Sequence, residues 1–138
     1  MMLRIRPTII LFGDSITQQG FSVAASTTAT TATDTDTTTT VTVEQKPGWV
    51  GLLSNTYTRR ADVLNRGFSG YNTRHAIDML PFVFGEDAAI DGDGTPTLMV
   101  AIFFGANDAA LPGKQDHPQH VPIDEYEENL RTIVKTIR

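Results

Sequence analysis

The 138-residue sequence predicts an α/β protein built on a parallel sheet, and three observations predict it. Residues 8–12 and 97–104 are apolar nearly throughout at strand length, which is the pattern of strands buried on both faces. Residues 61–67 read as another strand, and each of the three strands is followed by a segment of helical character, so strand and helix alternate. All three strands stop at glycine-bearing turns: Gly13-Asp14-Ser15, Gly67-Phe68-Ser69-Gly70 and Gly105-Ala106-Asn107-Asp108.

Composition sets the bounds. A chain of this length suggests one domain with a real core, and 40% hydrophobic residues is an ordinary globular value. The net charge of −5, from 11 basic and 16 acidic residues, argues against nucleic acid or an anionic membrane as partner, since both call for a basic face. With no cysteine there is neither a disulfide scaffold nor a thiolate metal site. The basic residues Arg4 and Arg6 precede an apolar run too short for a signal sequence, and no stretch is long enough for a membrane span, so a cytoplasmic location is expected.

In chain order, the first strand leads through Gly13-Asp14-Ser15 to Gln19. Residues 22–43 then change character: eleven of the sixteen residues 27–42 are Thr, with no alternating apolar partner. Such a segment buries too little apolar surface to offset its ordering entropy, and a disordered surface insertion is expected. Past Pro47, residues Trp49, Leu52, Leu53, Thr56 and Tyr57 fall at helical spacing and suit a helix packed on the sheet, with Arg59 and Arg60 at its C-terminal end. After the second strand, Asn72 or Thr73 caps a short helix that turns Ala76, Ile77 and Leu80 inward and is kinked or ended by Pro81. Asp91-Gly92-Asp93-Gly94 has a faint likeness to a calcium loop, but Thr95 and Pro96 stand where a third ligand and the turn glycine belong, so a solvated turn is expected. The last helix, from Ile123, has Asp124 and Glu127 at capping-box spacing and an apolar stripe of Ile123, Tyr126, Leu130, Ile133 and Ile137.

The carboxyl ends of parallel strands lie on one edge of a sheet, where ligands bind in open α/β folds. Ser15 is therefore a candidate nucleophile. The N–H groups of Ser15 and Gly70 and the side-chain amide of Asn107 are candidate donors to the oxyanion of an acyl-transfer intermediate. Taken alone, Gly-Asp-Ser is also ordinary turn chemistry. Ser69 is a poor rival nucleophile, because Gly67-Phe68-Ser69-Gly70 is one residue short of a nucleophile elbow. His75 is expected to face solvent or pack locally, and His117 and His120 to cap a surface loop.

These blocks resemble those of the SGNH, or GDSL, hydrolases. Gly13-Asp14-Ser15-Ile16-Thr17 is similar to that family's first block, Asn65-Arg66-Gly67-Phe68-Ser69-Gly70 to its second and Gly105-Ala106-Asn107-Asp108 to its third. The strings Val63-Leu64-Asn65-Arg66-Gly67-Phe68-Ser69-Gly70-Tyr71-Asn72-Thr73-Arg74 and Gln119-His120-Val121-Pro122 are most similar to the isoamyl-acetate-hydrolysing esterase group. The resemblance implies a flavodoxin-like three-layer parallel sheet and hydrolysis of small acyl esters by Ser15, with Ser15, Gly70 and Asn107 as the oxyanion hole and no cofactor or metal. The family's Asp-x-x-His base motif has no match, since Asp116 to His120 is one residue too long. Of the strand order 2-1-3-4-5 that the family implies, about three strands with their helices are present. The expectation is a single incomplete SGNH hydrolase domain over 1–138, inactive by itself, with its base beyond Arg138. The alternatives are a non-catalytic remnant that pairs through an exposed third strand, and a phosphate-binding module at residues 13–17, which would need a helix starting directly after the strand.

Overall fold

The computed structural model describes residues 5–22, 24–27, 43–85, 95–111 and 118–137. Strand β1 (Thr8–Gly13) is followed by the short helix α1 (Ser15–Gln18) and a 3-10 turn (Gln19–Phe21), then by β2 (Ala24–Thr27), β3 (Val43–Lys46) and α2 (Trp49–Thr56). Next come β4 (Asp62–Gly67), α3 (Thr73–Phe84), β5 (Thr97–Phe103) and α4 (Ile123–Thr136). The main sheet has three strands in the order β4-β1-β5, all parallel, with β1 in the centre.

Two apolar clusters follow from the alternation of β1 side chains. Ile10 and Phe12 face α3 and α4, where they meet Ala76, Leu80, Phe84, Phe104, Ile133 and Ile137. Ile9 and Leu11 face the other way, toward Val50, Leu53 and Tyr57 of α2 and its end, with Ala61 and Ala101. The result is three layers, helix–sheet–helix pair, as the sequence predicts. Phe12 sits at the centre of the larger cluster, with edge-on contacts to Phe68, Phe84 and Phe104 at ring separations of 6.2, 5.6 and 4.9 Å. Among the described residues no helix is long and apolar enough to cross a membrane.

Several local expectations are corrected. The segment 22–43 is not irregular throughout: Ala24–Thr27 pairs antiparallel with Val43–Lys46, so its two ends close on each other as a backbone ladder, while residues 28–42 lie outside those described. A backbone ladder needs no apolar alternation, which is why composition missed it. The calcium-like stretch 91–94 and His117 likewise lie outside the described residues. Helix α2 buries Val50 and, with its C-cap Tyr57, packs Leu53 and Tyr57 half-buried against the cluster, whereas Trp49 and Leu52 are exposed. Trp49 instead covers the turn after β1, its indole N–H directed at the Ile16 carbonyl at 3.4 Å. Arg60 donates to the Thr56 carbonyl at 2.9 Å, capping the helix end as its charge suits.

Pro81 does not end α3, which continues to Phe84; Pro81 is exposed. Helix α4 starts at Ile123 with Pro122 as N-cap and no side-chain cap, so Asp124 and Glu127 form no capping box. Ile133 and Ile137 reach the core, but Ile123, at the open end of the stripe, is exposed. A helix does begin directly after β1, against expectation, but its four residues are too few to form an anion site.

Candidate active site

The register of the sheet brings the three strand ends together. Gly13 is paired with Gly67 on one side and with Phe103 on the other. Ser15, Gly70 and Asn107 each lie two to four residues beyond that level, on the same edge. Gly13 cannot carry a side chain: a Cβ there would overlap Thr17 and lie 2.6 Å from the Phe103 carbonyl oxygen. Gly67 is equally confined, because its Cβ would run into the backbone of Gln18. These two glycines let α1 fold back tightly against β1 and β4.

Ser15 is the first residue of α1. Asp14, fully buried, is the N-cap, and its Oδ1 accepts the Ile16 N–H at 2.9 Å. The Asp14 N–H is taken by the Phe103 carbonyl at 3.2 Å. Ser15 itself is half-buried, and no described residue hydrogen-bonds its hydroxyl or its N–H. An unpaired N–H is what a helix start leaves behind.

The second turn is bonded to the first. Phe68 N–H donates to the Gly13 carbonyl at 2.8 Å, and Ser69 N–H to Gln18 Oε1 at 2.6 Å. Asn65 joins them from the strand: its Nδ2 donates to the Thr17 carbonyl at 2.7 Å while its Oδ1 accepts the Gly67 N–H at 2.9 Å. Gly70 has φ +80°, the left-handed region that glycine enters without strain. Its carbonyl accepts from Gln119 Nε2 at 2.8 Å, and its N–H has no partner among the described residues.

Asn107 completes the edge. Its Nδ2 donates to the Tyr71 carbonyl at 2.7 Å, which fixes the amide plane and leaves the second N–H hydrogen without an acceptor. The Ser15 N–H, the Gly70 N–H and one Asn107 amide hydrogen, on three loops, thus lack acceptors among the described residues, while their neighbours Asp14, Ile16, Ser69 and Tyr71 all have their N–H groups bonded. An edge of this kind can receive a developing negative charge.

Two of the three histidines are among the described residues. His75 is exposed; its Nδ1 accepts the Asn72 N–H at 3.3 Å in a capping box, and its ring lies 5.1 Å from that of Tyr71. His120 borders a cleft of about 320 Å³ with Gly105, Asp108, Ala109, Val121, Ile123 and Tyr126. Tyr126 donates to the Phe104 carbonyl at 2.9 Å, and burial, together with the negative charge of Asp108, raises its pKa. Among the described residues no group of three or more His, Asp or Glu side chains is placed to hold a metal ion.

Sequence reasoning gives no role to Asn65, Gln18 or Asp108, and to Thr73 only that of an alternative helix cap to Asn72, yet these four tie the loops together. Asn65 begins the second glycine-bearing block and Asp108 ends the third, and that position is the only signal they offer.

Comparison with known proteins agrees with this architecture. The chain is 42% identical over 133 residues to an isoamyl acetate-hydrolyzing esterase 1 homolog of Rattus norvegicus, covering 96% of this chain and 42% of the relative. It is 40% identical over 134 residues to a GDSL esterase/lipase of Arabidopsis thaliana, covering 97% and 44%. The chain therefore spans less than half the length of these curated relatives. In fold it is similar to the crystal structure of a lipase/acylhydrolase from Enterococcus faecalis, with a TM-score of 0.58 at 24% identity, over 95% of this chain and 52% of that one. The SGNH-hydrolase family esterase AlinE4 is similar too, with a TM-score of 0.57 at 18% identity, over 97% and 54%. Residues 11–138 match the GDSL-like lipase/acylhydrolase family, to which the chain belongs.

Proposed function

We propose that the chain carries the nucleophile and oxyanion hole of a hydrolase acting on small carboxylic esters. The observation that carries this reading is that, at the sheet edge where the three strands end, the Ser15 N–H and hydroxyl, the Gly70 N–H and the second amide hydrogen of Asn107 have no hydrogen-bond partner among the described residues. Ser15 Oγ bonds to the acyl carbon and its proton passes to a general base. The carbonyl oxygen becomes an oxyanion held by the three donors. Collapse breaks the ester C–O bond, and the alcohol leaves with the proton. Water then repeats the sequence on the acyl-enzyme, and the carboxylic acid and free Ser15 are the products.

The base is assigned to a segment outside residues 1–138, because no Asp-x-x-His occurs within them and the relatives are more than twice as long. The test is hydrolysis of p-nitrophenyl acetate by the protein at its natural length, with labelling by a fluorophosphonate probe. Turnover and labelling at Ser15, both lost in Ser15→Ala, are expected; equal turnover by Ser15→Ala overturns the reading.

A second role, as an interaction module, is favoured by β5, which pairs only with β1 among the described residues and whose Leu98, Met99 and Phe103 are exposed. An unpaired strand edge accepts a further strand. Sedimentation of residues 1–138 as a well-folded monomer that binds no partner would exclude it.

A further inference from the structure

Asn107 and Asp108 are adjacent, yet they differ in burial. Asn107 is half-buried at the sheet edge, whereas Asp108 is only 3% exposed, beneath the start of α3. Asp108 Oδ1 accepts two hydrogen bonds from Thr73, from its N–H at 3.0 Å and from its hydroxyl at 2.5 Å. Thr73 is the first residue of α3, where the backbone N–H has no intrahelical acceptor and a carboxylate is favoured by the helix dipole. Thr73 Oγ1 also accepts from Asn129 Nδ2 of α4 at 3.0 Å, and the Asp108 carbonyl accepts the Val121 N–H at 3.1 Å. Two residues before Thr73, the Tyr71 carbonyl holds the Asn107 amide.

Adjacent residues of one loop therefore grip positions 71 and 73 of the other. The ring they close contains the Asn107 side chain and the two peptides from Tyr71 to Thr73, and it begins at the residue after Gly70. We infer that Asp108 is a positioning residue, which by holding Thr73 sets the separation between the Asn107 amide and the Gly70 N–H. The inference rests on the proposed function for its catalytic consequence, but not for its geometry. A carboxylate suits the place because its oxygen accepts twice with charge assistance. An amide there would bring N–H donors into the position of Asp108 Oδ2, which is buried without a partner among the described residues.

A residue that only caps α3 would affect stability alone. A positioning residue acts through Asn107, so its effect must vanish when Asn107 is gone. The experiment uses the protein at its natural length with Thr73→Val, Thr73→Ser, Asn107→Ala and the Thr73→Val/Asn107→Ala pair. Thr73→Val is expected to lower kcat for p-nitrophenyl acetate about ten- to a hundredfold at unchanged KM, the size of loss that a misplacement of about an ångström brings. Thr73→Ser should restore kcat, and Thr73→Val should cost nothing further in the Asn107→Ala background. In parallel, ¹⁵N NMR should show the Asn107 side-chain amide shifted in Thr73→Val while the Asn65 amide stays in place.

An additive loss in the double variant, or an unshifted Asn107 amide, overturns the inference. Absence of turnover in the unmodified protein would overturn the proposed function instead, and the NMR comparison would still decide the positioning role. Asp108→Asn, if it folds, should match Thr73→Val in both readouts; if it does not, Thr73→Val carries the decision.

Discussion

Strands β1 and β5 read almost alike in sequence: each starts with a threonine after a proline, runs apolar and ends in a glycine-bearing turn. In the structure they differ sharply. Ile9, Ile10, Leu11 and Phe12 of β1 are 0–8% exposed, while Leu98, Met99 and Phe103 of β5 are 44–58% exposed. The cause is topological. Strand β1 has a neighbour on each side and helices over both faces, whereas β5 pairs only with β1 among the described residues. Val100 and Ile102 pack toward α3 and α4, but Met99 and Phe103 fall on the α2 side, outside the cluster that α2 covers. Apolarity records that a strand is meant to be covered; position in the sheet determines how far the chain itself supplies the cover.

The contrast extends to the residues that leave each strand and can be broken there first. Ser15 leaves β1 and Asn107 leaves β5. If the proposed function holds, Ser15→Ala lowers kcat/KM for p-nitrophenyl acetate about 10⁴-fold or more. Asn107→Ala, which removes one donor of three, costs about 10²–10³-fold in kcat. Steady-state kinetics on the protein at its natural length checks both, and equal losses would erase the distinction between nucleophile and donor.

Stability sharpens the comparison next. Phe12→Ala empties the centre of the aromatic cluster and is expected to cost about 3–5 kcal/mol. The same change at Phe103, exposed on β5, should cost under about 1 kcal/mol. Urea unfolding of residues 1–138 measures both, and a large loss at Phe103 would mean that β5 is covered in solution. Gly13→Ala lies between them: its Cβ meets Thr17 and the Phe103 carbonyl, an overpacking worth about 1–3 kcal/mol.

How much of this was legible in the sequence follows from the same physics. The three strand ends could be read because buried parallel strands leave apolar runs and their turns leave glycines, so Ser15, Gly70 and Asn107 could be put on one edge before any coordinates. The inward face of α2 was not legible. Positions 49, 52, 53, 56 and 57 and positions 50, 53, 54 and 57 both satisfy a helical period, and only the fold decides which faces β1. The start of α4 at Ile123 was legible but its cap was not, because Asp124 and Glu127 have capping-box spacing yet lie inside the helix, where Pro122 already serves as N-cap. Asp108 was invisible as a tie between loops because its partner Thr73 is 35 residues away, and no local pattern marks so distant a bond.

The smallest expected effect concerns the helices that cover the inner face of β5. Arg74 of α3 and Glu125 of α4 form a two-pronged ion pair, at 2.5 and 2.6 Å, on the exposed rim above the core. The hydrogen bond from Arg74, more than any other interaction, lowers the Glu125 pKa below its ordinary value of 4.5. A depressed carboxylate pKa stabilises the fold above the unfolded value, and the contribution is lost as pH falls through the folded value. The hydrogen bond to Glu125 raises the Arg74 pKa, so Arg74 stays charged throughout that window. Glu125→Gln should therefore lower the urea midpoint slightly at neutral pH, and the gap from the unmodified chain should close as pH drops below 4.5. Because both groups are solvated and salt screens them, the gap should also shrink with added salt. A gap that persisted in acid or in high salt would show that Glu125 acts through packing at the α3–α4 contact rather than through its charge.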